Sequence, residues 1–377
     1  MSEAVRPFEE VLDEVVKEGG ESLNLCYQCG LCSGTCPWGV VRDFNLRKML
    51  RMVQLGLVEE SDGIWLCTTC KACVDRCPRG VELIDVIRSM RRMLVGGGMI
   101  PQMQRSAVSN IVQEGNPWGN PAEERMDWAK GLDVRRYEKG MDYLLFVGCA
   151  PSYDPRNQKV ARALVEILSK AEVSFGVLGN EERCCGDSAR RIGDEQAFGT
   201  VAERNIAKFQ EMGVERIVAI SPHSYHTMKN DYKEFGGEFE VVHHTQLLAE
   251  LVDEGKVVPG RLEKRVTYHD PCYLGRHNGI YEEPRKVLES IPGLELVEME
   301  RTKDFSLCCG GGGGRFWTET VAEERFSNLR LEEAIGTGAE VLVTACPFCV
   351  SNFEDSTKSM GEEGRIVVRD VVEFLIL

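Results

Sequence analysis

The sequence has no apolar run that approaches the roughly 18 residues of a membrane-spanning helix, and no charged-then-apolar leader at its start. It also has no Rossmann fingerprint, no flavin motif and no GK[ST] phosphate loop, so the usual signs of a bound nucleotide are missing. A net charge of -15 argues against nucleic acid as a partner. The 377 residues are enough for two or three domains, and we expect a cytoplasmic protein without a membrane span of its own.

Cysteine is the residue that the sequence has in excess. Sixteen cysteines are present, although structural disulfides are rare in the cytosol. Eight lie before residue 80, none lies between residues 78 and 148, and the other eight stand in tight groups. Scattered core cysteines would not cluster in this way, so metal ligation is the first hypothesis.

Two runs near the N-terminus match the spacing of bacterial ferredoxins, CYQCGLCSGTCP at residues 26–37 and CTTCKACVDRCP at residues 67–78. In the pattern Cys-x2-Cys-x2-Cys-x3-Cys-Pro, three thiolates grip one [4Fe-4S] cubane and the fourth, directed away by the proline, serves the neighbouring cluster. A pair of four-cysteine zinc sites is the alternative, but it needs neither the later cysteines nor the proline at these offsets. We therefore assign to one cubane Cys26, Cys29, Cys32 and Cys77, and to the other Cys67, Cys70, Cys73 and Cys36.

The chain divides into a helical first part and a second part of alternating strands and helices. Apolar residues recur near helical spacing in residues 41–58 and 84–94, which predicts a mainly helical module over residues 1–100. Gly and Pro interrupt the pattern between residues 96 and 124, so we expect a linker over residues 101–140. From residue 141 the alternation indicates α/β units with parallel strands, and the predicted fold class is α+β multidomain.

The second part contains an internal repeat, which predicts two α/β domains over residues 141–255 and 256–377. Five positions of the first copy recur in the second at offsets of 123 to 125 residues: Cys149, Cys184, Cys185, Ser221 and Ser224 match Cys272, Cys308, Cys309, Cys346 and Cys349. Most of these positions follow apolar runs typical of strands, and open α/β sheets place ligand sites at strand ends. Only the second copy keeps all five cysteines, because ISPHSYHT stands in the first where ACPFCVSN stands in the second.

Five consecutive glycines, residues 310–314, follow the second Cys-Cys pair. The run is not a phosphate loop, since neither GK[ST] nor GxGxxG is matched. We expect the backbone at Gly310 and Gly311 to lie against a bulky inorganic cluster, with N–H groups directed at sulfur. The alternative is a flexible turn that opens a helix near Thr318.

These motifs resemble those of heterodisulfide reductase. LNLCYQCGLCSGTCP and IWLCTTCKACVDRCPRGV look like its C subunit, which has two cubanes, and the rest is similar to its B subunit, built from two cysteine-rich CCG domains. A single chain with both parts resembles the D-type subunit and related iron–sulfur subunits of sulfur, glycolate and lactate metabolism. The resemblance implies one noncubane [4Fe-4S] cluster on Cys272, Cys308, Cys309, Cys346 and Cys349. In the B subunit, two such clusters split a disulfide in successive one-electron steps.

The first repeat departs from the family pattern, because Ser221 and Ser224 replace two cysteines and serine oxygen is a poor ligand for iron–sulfur chemistry. Two interpretations of its remaining thiols stay open: a zinc site completed by His223 or His226, or buried thiols without a metal. The thiols concerned are Cys149, Cys184 and Cys185. In the second repeat, His269 and Asp270 precede Cys272. We expect them to orient a substrate or to donate hydrogen bonds to the cluster ligands; the alternative is that they are strand-end residues satisfied by the backbone.

The predicted function is that of an electron-transfer subunit in a heterodisulfide reductase-like oxidoreductase. Electrons would pass through the two cubanes to the noncubane cluster, where a disulfide would be reduced. The alternative is a non-catalytic relay between a flavoprotein or dehydrogenase and another partner. Because no flavin or nicotinamide motif is present, we expect the electron donor to be another redox subunit, which would also supply any attachment to a membrane.

Overall fold

The computed structural model describes residues 8–57 and 63–375. The first hundred residues are helical in the described part, as the spacing of apolar residues predicts. The helices are α1 (Glu9–Val15), α2 (Leu31–Thr35), α3 (Trp38–Val41), α4 (Leu46–Gln54), α5 (Gly63–Leu66), α6 (Ala72–Asp75) and α7 (Leu83–Gly96). A π-helical segment (Val16–Gly20) and a 3-10 helix (Glu21–Leu25) connect α1 to the first cysteine run.

Helix α4 shows how local sequence builds this module. The side chain of Asn45 accepts a hydrogen bond from the backbone N–H of Lys48 at 3.0 Å, which caps the first turn. Leu46, Leu50 and Val53 then fall on one face of the helix and are buried in a small core shared with α7. The cysteine runs lie in the loops and short helices around α4 and α7, so this core fixes their position.

The segment predicted to be a linker is folded against the first repeat. It contains helix α8 (Gln102–Gln113) and a 3-10 helix (Ala122–Ala129). Trp128 is buried in the core of the first repeat, and Arg136 forms a parallel bridge with Val177. A domain boundary near residue 140 remains a prediction.

Two four-stranded parallel sheets follow, one in each repeat. The strand order is β2-β1-β3-β4 in the first sheet and β6-β5-β7-β8 in the second, so the two repeats have the same topology. The strands are β1 (Tyr143–Phe146), β2 (Phe175–Gly176), β3 (Arg216–Ala219), β4 (Glu240–His243), β5 (Lys264–Tyr268), β6 (Leu294–Leu296), β7 (Val341–Thr344) and β8 (Val367–Asp370). The alternation of strands and helices predicted from the sequence is confirmed.

Helices cover both sheets. Those of the first repeat are α9 (Cys149–Tyr153), α10 (Pro155–Lys170), α11 (Asp187–Ile192), α12 (Glu195–Glu211), α13 (Pro222–Lys229) and α14 (His244–Asp253). Those of the second are α15 (Glu282–Glu289), α16 (Phe326–Gly336) and α17 (Pro347–Ser359). Short 3-10 helices fill the connections, at Gly179–Glu181, Asp231–Phe235, Lys303–Phe305, Arg315–Trp317, Ala322–Glu324 and Val371–Phe374.

One apolar core joins the two repeats. It contains residues of both sheets, such as Phe146 of β1 and Val343 of β7. Within it, His244 of the first repeat hydrogen-bonds to Asp370 of the second at 3.2 Å. The predicted fold class, a helical module followed by two repeated α/β domains, is confirmed. No helix in the described residues is both long and apolar enough to cross a bilayer.

Candidate metal centres

The eight cysteines of the helical module line two cavities. Around the first cavity stand Cys26, Cys29, Cys32 and Cys77, and around the second Cys36, Cys67, Cys70 and Cys73. The fold therefore brings together the same two crosswise sets that the spacing of the cysteines predicts. Cys29 is exposed and Cys70 is buried, so the first cavity faces solvent and the second faces the rest of the chain.

Both cysteine loops have the same unusual backbone conformation. The φ angles of Gln28 and Gly30 are 66° and 87°, and those of Thr69 and Lys71, at the equivalent positions, are 51° and 68°. Left-handed residues other than glycine are uncommon, and they curl the backbone so that N–H groups point into a concave site. The N–H of Thr69 lies 3.4 Å from Cys67 Sγ. Thiol-lined cavities of this kind fit [4Fe-4S] clusters, because N–H groups directed at sulfur stabilise the negative charge of thiolate ligands.

The five cysteines of the second repeat converge at the ends of β5 and β7. Cys272 lies shortly after β5, Cys346 directly precedes α17, and Cys349 lies in the first turn of that helix. The Sγ atoms of Cys349 and Cys309 are 3.3 Å apart. None of the five cysteines is more than 8% exposed. Five buried thiols exceed what one tetrahedral metal ion takes, so the set fits an iron–sulfur cluster better than a single zinc.

The glycine run makes the predicted contact with sulfur at its first residue. The N–H of Gly310 lies 3.3 Å from Cys308 Sγ, and its φ of 94° is one that glycine adopts without strain. A Cβ added to Gly311 would lie 2.9 Å from Nδ2 of Asn352, and this same Nδ2 donates a hydrogen bond to the carbonyl of Cys309 at 3.1 Å. The absence of side chains therefore allows the loop to close over the cysteine pair.

Later glycines of the run have a role that the sequence did not indicate. A Cβ added to Gly312 would lie 2.3 Å from the carbonyl oxygen of Thr68, and one added to Gly313 would lie 2.1 Å from that of Cys67. The run thus packs directly on the second cysteine loop of the helical module. The helix expected to open near Thr318 is wrong: a 3-10 turn ends at Trp317 and α16 begins at Phe326.

In the first repeat, Ser224 occupies the place of Cys349. Its Oγ donates a hydrogen bond to Cys185 Sγ at 3.4 Å, in the same way that Cys349 meets Cys309 in the second repeat. Ser221 uses its hydroxyl to cap α13, accepting from the N–H of His223 at 3.3 Å. The equivalent Cys346 makes no such cap. The degenerate repeat therefore retains the shape of the site with two hydroxyls in place of thiols.

Cys149 lies beside a buried ion pair. Arg125 donates a hydrogen bond to Glu182 at 3.0 Å and lies 3.5 Å from Cys149 Sγ. The hydrogen bond from Cys184 lowers the pKa of Cys149 to about 7, with burial opposing the shift and Arg125 assisting it. The site keeps three thiols, too few for the five-cysteine set of the other repeat.

The structure does not place His223 among these thiols. Its Nδ1 lies 3.0 Å from Asp187 Oδ2, and its ring stacks on Tyr273 at 4.1 Å and tilts against Phe348 at 5.0 Å. His223 therefore faces the second repeat, at the position equivalent to Phe348. Among the described residues, no group of three or more His, Cys, Asp or Glu side chains is arranged to hold a single metal ion. Both interpretations of the first repeat, a zinc site and buried thiols without a metal, stay predictions.

His269 and Asp270 have structural partners. His269 is buried and accepts a hydrogen bond at Nδ1 from Arg330 at 3.2 Å. Asp270 binds both terminal nitrogens of Arg285, at 2.7 and 3.0 Å. Asp270 also accepts a hydrogen bond from the backbone N–H of Lys303 at 2.8 Å, whereas Nε2 of His269 is buried without a hydrogen-bond partner among the described residues. A role of either residue in orienting a substrate stays a prediction.

The second cysteine loop of the module docks on the second repeat. Cys308 Sγ lies 3.7 Å from Thr68 Oγ1, and the hydroxyl groups of Thr69 and Tyr273 are 2.7 Å apart. His277 contacts the carbonyl of Thr69 at 2.8 Å. Sequence reasoning missed these contacts, because each joins residues more than 200 positions apart.

Comparison with known protein families matches both parts of the chain. The 4Fe-4S dicluster domain matches residues 25–82, and the cysteine-rich CCG domain matches residues 143–229 and again residues 266–354. The D subunit of the heterodisulfide reductase of Methanosarcina barkeri is 34% identical over 76% of this chain and 70% of its own length. This chain belongs to the family of iron–sulfur oxidoreductase subunits that includes this D subunit. The resemblance seen in the cysteine motifs is therefore confirmed.

Two other relatives are longer proteins. The probable iron-sulfur-binding oxidoreductase FadF of Bacillus subtilis is 42% identical over 75% of this chain and 41% of its own length. The EtfAB:quinone oxidoreductase of Syntrophomonas wolfei is 42% identical over 76% of this chain and 42% of its own length. The chain therefore spans less than half the length of these two relatives.

Proposed function

We propose that this chain carries electrons from a redox partner through the two cysteine sets of the module to the five-cysteine set of the second repeat. [4Fe-4S] clusters held by these sets, two cubanes and one noncubane, would supply one-electron chemistry. The solvent exposure of the cysteines supports this order of electron transfer. The Cys26 set opens to solvent at Cys29, whereas Cys70 and the thiols of the second repeat are buried.

The observation that carries the proposal is the contact between the second cysteine loop and the second repeat. The Oγ1 of Thr68, the residue after Cys67, lies 3.7 Å from Cys308 Sγ. The hydroxyl of Thr69 lies 2.7 Å from that of Tyr273, the residue after Cys272. Gly312 and Gly313 allow the two backbones to approach without side chains between them. This contact supports electron exchange between the Cys67 set and the second repeat.

The entry end of the path has the features of a docking surface. Tyr27, Leu25 and Leu31 are exposed to 59%, 44% and 49% around the Cys26 set, and Arg47 and Arg79 line the same cavity. Apolar side chains with basic neighbours suit a redox protein that presents carboxylates around its own centre. We propose a flavoprotein or dehydrogenase subunit as the donor. We further propose that the complex works in the cytoplasm, with any membrane attachment supplied by a partner.

At the exit end, a disulfide is the proposed acceptor. Its reduction takes two electrons and two protons and yields two thiols. The second repeat offers one complete set of soft ligands for a cluster whose iron could bind a sulfur fragment, and the first repeat offers three thiols and two hydroxyls. The name of the Methanosarcina relative, part of a CoB–CoM heterodisulfide reductase, supports this class of substrate.

A non-catalytic relay is the second candidate, and the incomplete first repeat favours it. With one complete set, only one half of a cleaved disulfide could be held on this chain until the second electron arrives. We therefore expect the isolated chain, reduced chemically, to cleave the CoB–CoM heterodisulfide slowly or not at all. Turnover equal to that of a relative with two complete sets would favour the enzyme over the relay.

The proposed path can be tested with a protein donor and a small donor in parallel. Photoreduced bacterial ferredoxin should reduce all centres of the anaerobic protein, as followed by freeze-quench EPR. In Cys70→Ser, the ferredoxin should still reduce the Cys26 centre but should reach the second repeat slowly, while reduced methyl viologen should still reach it. Cys184→Ser, in the incomplete repeat, is the matched control. Rapid reduction of the second repeat by ferredoxin in Cys70→Ser would contradict the path.

A further inference from the structure

Two of the buried arginines in the described part of the chain have no carboxylate partner, unlike the other buried arginines. Seven arginines are buried there, and five of them form ion pairs with carboxylates: Arg125, Arg190, Arg191, Arg285 and Arg330. The remaining two, Arg91 and Arg276, form no ion pair with a described carboxylate. Both hold the backbone of the same segment, the cysteine loop at residues 67–73.

Arg91 is completely buried, and carbonyl oxygens accept all five of its N–H groups. Nε and Nη2 donate to Ile64 at 3.1 and 2.9 Å, and Nη2 donates also to Cys67 at 2.8 Å. Nη1 donates to Arg191 at 2.7 Å and to Gly313 at 2.8 Å. The guanidinium thus joins the helical module to both repeats, and no donor is left for a carboxylate.

Arg276 approaches the same loop from the side of the second repeat. Its Nε donates to the carbonyl of Cys70 at 2.6 Å, and Nη1 donates to Ser306 at 2.7 Å and to Asp304 at 3.2 Å, in each case at the backbone oxygen. The side chain is 6% exposed. Arg276 therefore lies between the Cys67 set and the five-cysteine set.

A buried cation without an anion is costly, by several kcal/mol for each charge after relaxation of the surroundings. Carbonyl dipoles accept hydrogen bonds from every nitrogen of the Arg91 guanidinium and from Nε and Nη1 of Arg276, but they do not cancel the two charges. Four thiolates on a [4Fe-4S] centre leave it with net negative charge, and the Cys67 set is the thiol group that both arginines flank. A centre on this set would supply the missing anion.

We infer that Arg91 and Arg276 are the buried counter-charges of the centre on the Cys67 set, and that they raise its reduction potential. Reduction adds one negative charge, which a fixed cation stabilises most strongly where the dielectric is low. Burial alone would oppose reduction at this set relative to the solvent-exposed Cys26 set. The two arginines offset this effect of burial, so electron transfer from the Cys26 centre to the Cys67 centre is not unfavourable.

This inference rests on the proposed electron path. Potentiometric titration monitored by EPR tests the inference separately from the path. The signal of the Cys67 centre is first identified as the one that Cys36→Ser perturbs. In the unaltered protein, its midpoint should be at or above that of the Cys26 centre. In Arg276→Gln, it should fall by 59 mV or more, which for one electron is a tenfold or larger change in the reduction equilibrium. The midpoint of the Cys26 centre should stay unchanged.

Arg276→Lys is the matched variant, because it keeps the charge and loses the planar set of donors. It should retain most of the potential that Arg276→Gln loses. Equal falls in both variants would mean that Arg276 acts only by holding the loop, and no fall in either would overturn the inference. If Arg276→Gln does not retain iron, two other measurements decide. The inference requires that the Cys67 centre of the unaltered protein has a midpoint potential at or above that of the Cys26 centre, and that Arg91→Lys leaves the midpoint potential of the Cys67 centre unchanged. Absence of any cubane signal in the unaltered protein would instead count against the proposed path.

Discussion

In the first CCG repeat, Ser224 Oγ lies 3.4 Å from Cys185 Sγ, and in the second, Cys349 Sγ lies 3.3 Å from Cys309 Sγ. The strand order around the two pairs is the same. The duplication therefore kept the backbone that forms the site and changed the atoms presented to it. A comparison of the two repeats separates what shapes a cluster site from what binds the cluster.

The repeats differ also in the residues that follow each Cys-Cys-Gly. Gly186 and Gly310 have φ angles of 88° and 94°, but the chain then forms α11 in the first repeat and a glycine loop in the second. In α11, Asp187 pairs with Arg191 and His223. In the second repeat, Gly313 lies against Cys67. The first repeat thus has a buried charged network where the second has the surface that receives the helical module.

Of the two repeats, only the second should lose iron when one of its cysteines is replaced, and this is the largest effect that we expect. Anaerobically purified protein should contain about 12 iron atoms, and Cys349→Ser should remove about four while leaving the cubane signals intact. Cys185, the thiol of the equivalent contact in the first repeat, gives the control variant Cys185→Ser, which should lose no iron. Iron analysis and EPR of both variants check this. A starting content near 16 would show that the first repeat also holds a cluster.

Placing cysteines at the two serine positions of the first repeat should enable this repeat to bind iron as the second does. The double variant Ser221→Cys, Ser224→Cys should raise the iron content by about four atoms, because the remaining three thiols and the backbone are already in place. A second noncubane signal in EPR would accompany the gain. If the iron content stays the same, the pocket around Cys149 and Arg125 has diverged as well as the ligands.

A side chain in the glycine loop should disturb docking of the module. In Gly313→Ala, the new Cβ would lie 2.1 Å from the carbonyl of Cys67, and the φ of 63° is strained for alanine. Strain and overpacking together should cost about 3 kcal/mol. The midpoint of thermal unfolding of the anaerobic protein measures this. Gly361→Ala, at a φ of 72° with open space around its Cβ, should cost about 1 kcal/mol, and an equal loss in both variants would contradict the contact.

His223→Phe, which copies the residue of the second repeat, should have the smallest effect. Burial lowers the pKa of His223, but Asp187 outweighs it and holds the pKa above its ordinary value of about 6.5. The protonated pair therefore contributes stability below that pH, and the contribution is lost as the pH rises through the raised pKa. The variant should be less stable by about 2 kcal/mol at pH 6 and closer to the unaltered protein at pH 9. A constant difference across this range would argue against a charged pair.

The sequence alone determined which residues could hold metal and how the chain is divided. Ligand type and spacing are local properties, so the two ferredoxin runs predicted the crosswise sets, and the offsets between repeats predicted the duplicated α/β fold. The helical spacing of apolar residues and the capping of helix ends are local properties too. For this reason α4 and α7 lie close to the segments predicted to be helical. The same local signals could not tell that residues 101–140 pack on the first repeat.

Only the tertiary structure decided which repeat receives the helical module. The contact of Thr69 with Tyr273 joins residues 204 positions apart, and that of Arg91 with Gly313 joins residues 222 positions apart. The first joins two hydroxyl groups and the second joins a guanidinium to a backbone carbonyl, and neither contact leaves a pattern along the chain. One of the two interpretations left open by the sequence puts His223 or His226 beside the thiols of the first repeat, whereas in the structure the ring of His223 stacks on Tyr273 of the second. The direction in which a side chain points depends on packing between segments that are distant in sequence. The spacing of the cysteines carries no information about this packing.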